Sequence, residues 1–139
     1  MNNPSGDRAL AYALARIGLG INIALHGLAR LPHITPFAVN MRTEFSQTIL
    51  PGPLVELAGY GIVIAEAILG VMVLFGLRLR AALVGGMMLM FLLEFGTCLR
   101  QEWNTAGIQL IYVGFYATLL ATLQYHRPPA VNPIDRQAA

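Results

Sequence analysis

Asn22, His26 and Arg30 follow one another at four-residue spacing, which stacks them on one face of a helix, and Arg16 falls on the edge of the same stripe at about 100° per residue. Glu66 stands alone in a long apolar run. An imidazole that titrates near neutral pH can exchange protons, and a carboxylate held in hydrocarbon is costly enough to need a partner or a task. These types point to proton chemistry in an apolar setting, with His26 and Glu66 as the exchanging groups and Arg16 setting their charge. Two further rows share helical faces: Met87, Met90, Glu94, Thr97 and Gln101, then Thr105, Gln109, Tyr112 and Tyr116. From them Met90, Glu94, Gln109 and Tyr112, together with Asn22, make a ligand-binding set.

Plainer roles compete at each position. Arg30, Arg78 and Arg80 are expected to snorkel at helix ends, and Glu56 and Glu102 to sit solvated at an interface. His26 either donates to a backbone carbonyl or takes part in the chemistry. Glu66 either acts or serves as the structural partner of Arg16 or His26. The tyrosine and methionine rows also suit simple packing. All nine basic residues are arginine, so Schiff-base lysine chemistry is excluded. The single Cys98 allows no internal disulfide and is read as inert, and no spacing suggests a metal site.

Elements able to hold these groups follow from composition. The chain has 139 residues, 56% hydrophobic and only 12% charged, which is far from the soluble balance. A net charge of +2 spread over single arginines forms no basic stripe, so nucleic acid is excluded as a partner. Leu10 to Leu31, Leu54 to Leu77, Leu79 to Leu99 and Thr105 to Tyr125 are each long enough to cross roughly 30 Å of hydrocarbon. The first is too long and too charged for a cleaved leader. The fold expected is therefore all-α: an integral membrane four-helix bundle, a single domain over residues 1–127, with a flexible cytoplasmic tail over 128–139.

Gly76 to Arg78 and Leu99 to Asn104 are short turns that force antiparallel neighbours. The longer connection from Pro32 to Pro53 repeats Phe37, Met41 and Phe45 every fourth residue against Asn40, Arg42, Thr43 and Glu44, as a short interfacial amphipathic helix would. Arg8, Arg78, Arg80, Arg127 and Arg136 outnumber Arg30, Arg42 and Arg100 on the opposite side, which places both termini in the cytoplasm of a bacterial inner membrane. In that topology His26, Arg30, Glu94 and Gln109 share the outer half, Glu66 the midplane and Arg16 the inner half. Gly20 and Gly27 beside the first stripe, and Gly59 and Gly70 on the face of Glu66, permit close helix approach.

Two blocks also resemble the DoxX family of small four-helix bacterial membrane proteins. Arg16, Gly18, His26, Gly27 and Arg30 match its first helix, and Glu66, Gly70, Leu74, Gly76, Leu77 and Arg80 its second. The resemblance spans Ala9 to Leu99 and implies a link to membrane redox chemistry, because namesake relatives are associated with a thiosulfate:quinone oxidoreductase. No haem, iron–sulfur or dinucleotide signature accompanies it. The reading that results is an oxidoreductase subunit in the lipid bilayer that binds a quinone or similar amphipathic molecule and works with protein partners in a complex. A non-enzymatic assembly or scaffolding subunit is the alternative. A small-solute transporter would want broken helices in repeated halves, which the sequence lacks.

Overall fold

The computed structural model describes residues 4–126. Helix α1 runs from Pro4 to Arg30, two turns ahead of the start expected from hydropathy. It ends where Pro32 cannot continue the amide ladder, and a 3-10 turn over Leu31–His33 leads into α2, Ile34–Glu44. Helix α3, Gly52–Phe75, starts behind Pro51 and stops at Gly76, whose φ of 71° is the left-handed conformation that glycine adopts without strain. Helix α4 covers Leu79–Leu99 and α5 covers Trp103–Ala121, with a final 3-10 turn over Leu123–Tyr125. Among the described residues there is no strand. The tail expected over 128–139 lies outside the described residues, as does Arg127.

Ser5–Glu44, Gly52–Phe75 and Leu79–Leu99 are long and apolar enough to cross a membrane. The fourth crossing expected between Thr105 and Tyr125 is not among them. Its helix is 19 residues long, Asn104, Thr105 and Gln109 dilute its hydropathy, and it breaks at Thr122 instead of continuing to Tyr125. The long helices nevertheless all carry large apolar side chains outward: Leu14 on α1, Ile68 on α3, Phe95 on α4 and Ile111 on α5 are each more than half exposed. Water would not tolerate that much open hydrocarbon on a protein this small, and lipid does. This is a membrane protein.

Close contacts fix the register of α1 against α3. A Cβ at Gly20 would strike the backbone of Leu74, one at Gly27 the backbone of Ala67, and one at Gly70 the backbone of Ala24. These pairs retreat along one helix by as many residues as they advance along the other, so they share a single antiparallel register in which Leu28 falls level with Glu66. Helix α2 lies on α3 with Ala38 against Gly59. Helix α4 packs on both α3 and α5, and the Tyr116 ring of α5 covers Gly86. Leu19, Ile23, Val73, Leu83, Leu89 and Leu119 fill the space between.

Candidate functional site

Glu66 is two-thirds of the way along α3 and only 4% exposed. Its Oε2 accepts a hydrogen bond from Nη1 of Arg30 at 2.6 Å, making an ion pair whose carboxylate is buried and whose guanidinium is partly exposed. The Arg30 guanidinium also lies 4.9 Å from the centre of the Phe37 ring, where the ring face stabilises a cation. The sequence placed Arg30 at the interface as a snorkelling side chain and gave Glu66 to Arg16 or His26. The structure corrects both assignments. Arg30 sits half a turn beyond the level of Glu66, and a helical side chain leans toward the N-terminus of its own helix, which carries the guanidinium back to the carboxylate.

Arg16 lies twelve residues before Leu28 on α1, roughly 18 Å along the axis from the level of Glu66. Its Nη1 donates to the carbonyl oxygens of Val73 and Leu74 in the last turn of α3, where the Val73 carbonyl also accepts from the Gly76 N–H at 3.2 Å. It therefore closes a helix end and does not set the charge of His26 or Glu66. His26 is exposed, and its Nδ1–H donates to the carbonyl oxygen of Asn22 at 2.8 Å, leaving Nε2 directed away from that bond.

Around the ion pair lies a cavity of about 260 Å³ whose lining includes Asn22, His26, Glu66, Met90, Gln109 and Tyr112. Six of the eight residues selected from the sequence thus meet at one cavity. Arg16 is at the opposite end of α3, and Glu94, one helical turn from Met90, does not line the cavity. Two hydrogen bonds orient the cavity's amides. The Tyr112 hydroxyl donates to Oδ1 of Asn22 at 3.1 Å, bridging α5 to α1, and the Thr97 hydroxyl lies 2.8 Å from Oε1 of Gln109, bridging α4 to α5, while its one proton is shared with the carbonyl oxygens of Leu93 and Glu94 at 3.2 and 2.9 Å. With the amide oxygens of Asn22 and Gln109 turned toward these hydroxyls, their NH2 groups remain available as donors. The cavity is consequently rich in donors, with its one full cation neutralised by Glu66. That suits a neutral molecule carrying carbonyl or ether oxygens.

Sequence reasoning missed Arg30 and Thr97 as parts of the site. The glycines at 20, 27 and 70 marked the faces where α1 and α3 approach closely, but the register that brings Arg30 to Glu66 depends on their partners Leu74, Ala67 and Ala24, which the sequence does not single out. Thr97 had been placed on the correct face of α4, without a role. Among the described residues no group of three His, Cys, Asp or Glu side chains is placed to hold a metal.

The family model described as methylamine utilisation protein MauE matches residues 8–107. No curated protein and no solved structure matches the chain. The match covers most of the sequence, and the chain belongs to the MauE family. The DoxX resemblance is corrected by this finding. The residues that carried it lie within the matched stretch, and their physical tasks explain why they misled: small residues for close helix approach, a paired carboxylate in hydrocarbon and a left-handed glycine closing a hairpin can serve any tight pair of membrane helices.

Proposed function

We propose, from this membership of the MauE family, that the chain is an integral membrane accessory subunit of a methylamine-utilisation system, and that its polar cavity receives a neutral, hydrogen-bonding amphipathic molecule such as a quinone headgroup. The observation that carries this reading is the donor-rich lining: Asn22 and Gln109 have their oxygens turned toward hydroxyls and their NH2 groups free to bond a ligand carbonyl. His26 Nε2 supplies a polar group at the edge, and Tyr112 and Met90 supply surface for a ring. Glu66 holds Arg30 and so shapes the cavity as an ion-paired carboxylate. With no lysine and one cysteine, the chain carries no dithiol or amine centre of its own, so any electron transfer would pass through a bound molecule or a partner protein.

In this reading α5 completes a four-helix bundle as its fourth crossing, α2 lies in the interface, and both termini face the cytoplasm of a bacterial inner membrane. The test is binding of a methyl-tailed benzoquinone to the purified chain in detergent. Asn22→Ala combined with Gln109→Ala is expected to weaken binding about tenfold or more, since each lost hydrogen bond is worth about 1 kcal/mol. Equal binding by the wild type and the double variant, or none by either, removes the ligand and leaves a scaffolding subunit, whose test is a stoichiometric protein partner retained through purification.

A further inference from the structure

A second cavity, larger than the polar one, lies nearby. A groove of about 480 Å³ lies beneath α2 between α3 and α4, walled by Phe45, Leu54, Val55, Leu92 and Phe95. Its size is within the roughly 300–1,000 Å³ of ligand sites. Phe37, Met41, Ile62 and Leu93 line both this groove and the polar cavity, so the two spaces adjoin along these four side chains. The cation at the groove is fully engaged by carboxylates. Arg100 is paired with Glu44 at 2.8 Å and Glu102 at 2.6 Å, and lies 5.3 Å from the centre of the Phe45 ring.

We infer that this groove holds the hydrocarbon tail of the molecule whose headgroup occupies the polar cavity, an inference that rests on the ligand reading above. The chemistry singles out this occupant. A groove whose cation is already bound to two carboxylates offers little to a phosphate headgroup. A partner helix, about 10 Å across with its side chains, is too wide for 480 Å³, and an extended peptide would bring backbone amides into an apolar wall that cannot satisfy them. A hydrocarbon chain needs neither charge nor hydrogen bonds. The four side chains common to both spaces, Phe37, Met41, Ile62 and Leu93, are all apolar, and Phe37 lies against the Arg30 guanidinium at 4.9 Å. The ligand class is thus a neutral oxygen-bearing ring with one long apolar substituent.

Binding of two benzoquinones, one with a methyl and one with a decyl tail, to the full chain in one detergent tests this. The wild type is expected to bind the decyl compound about tenfold or more tightly than the methyl compound, because each buried methylene adds favourable transfer energy. Ala58→Phe on α3 and Leu92→Trp on α4 both fill the groove; each is expected to erase that chain-length gain while leaving the methyl compound's affinity unchanged. Both variants are read against the wild type in the same micelles, so partition of the tail into detergent cancels. A gain that persists in both variants, or that disappears instead with Gly18→Trp in the gap between α1 and α5, overturns the tail assignment and leaves the headgroup reading intact. Failure of the wild type to bind either compound overturns the headgroup reading and the tail assignment together.

Discussion

Two arginines on α1 do opposite work with the same functional group. Near the end of the helix, Arg30 meets a buried carboxylate, and the pair lines a cavity along with amides held by Tyr112 and Thr97. At the other end of the α1–α3 pair, Arg16 meets only backbone carbonyls, and its surroundings are closed: Gly76 is covered by His126 and Arg16, and the Tyr12 ring lies 6.2 Å from that of His126. There Arg16 Nε and the Tyr12 hydroxyl are buried with no hydrogen-bond partner among the described residues. The difference shows that a polar residue in a membrane helix is not by itself a mark of a site. An arginine that ends a helix satisfies the helix, whereas one that meets a carboxylate beside unfilled space creates a place for a ligand.

The largest effect should come from breaking the pair at the open end. Arg30→Ala leaves Glu66 buried without its cation, and removal of one partner of a buried pair costs on the order of 3 kcal/mol, at the low end of the usual range because Arg30 keeps partial access to its surroundings. Thermal unfolding in detergent is expected to show a clear loss for Arg30→Ala, a smaller one for Glu66→Gln, whose amide oxygen can still accept from Arg30, and recovery when Arg30→Met and Glu66→Leu are combined. Equal stability of Arg30→Ala and wild type would mean the ion pair does not hold α1 to α3.

Breaking the closed end should cost less and should not touch the cavity. Arg16→Ala removes charged hydrogen bonds to two terminal carbonyls, about 2 kcal/mol, with ligand affinity unchanged. Arg16→Lys recovers part of the loss, since an ammonium keeps the charge and loses the planar fork. A drop in ligand affinity for Arg16→Ala, at matched stability, would show that the two ends are coupled and dissolve the contrast between them.

The smallest effect is a pH dependence confined to the closed end. Burial first, and then the charge of Arg16, lower the pKa of His126 from its ordinary 6.5. The folded state therefore takes up a proton less readily than the unfolded chain. The neutral ring's contribution is fully present above pH 6.5 and is lost as pH falls from there toward the depressed folded value. The thermal midpoint should decline on acidification below that pH, less so in His126→Asn and in Arg16→Ala. A decline of the same size in His126→Asn would assign it to other groups.

Much of the architecture was legible in the sequence because its causes are local. Hydropathy and 3.6-residue periodicity belong to single segments, and they gave α1, α3 and α4 within a few residues; Gly76 and the short sequence after it forced the hairpin. Prolines at 32 and 51 bounded the segment in which α2 forms. The end of α5 was read too late: the helix stops at Ala121 and gives way to a 3-10 turn over Leu123–Tyr125, a break that averaged hydropathy does not register.

What the tertiary structure alone decided is which groups on these faces meet. Arg16, His26 and Arg30 share one stripe of α1, and nothing within that helix ranks them as partners of Glu66. The ranking comes from the relative height of two helices, set by Gly20 on Leu74, Gly27 on Ala67 and Ala24 on Gly70, which are contacts between positions some forty to fifty residues apart. A sliding of one helical turn would change every pairing while leaving the hydrophobic pattern of each helix intact. For the same reason the oriented amides of Asn22 and Gln109 could not be read from the chain. Their oxygens face hydroxyls from other helices, and the direction of an amide depends on its partners and not on its position in the sequence.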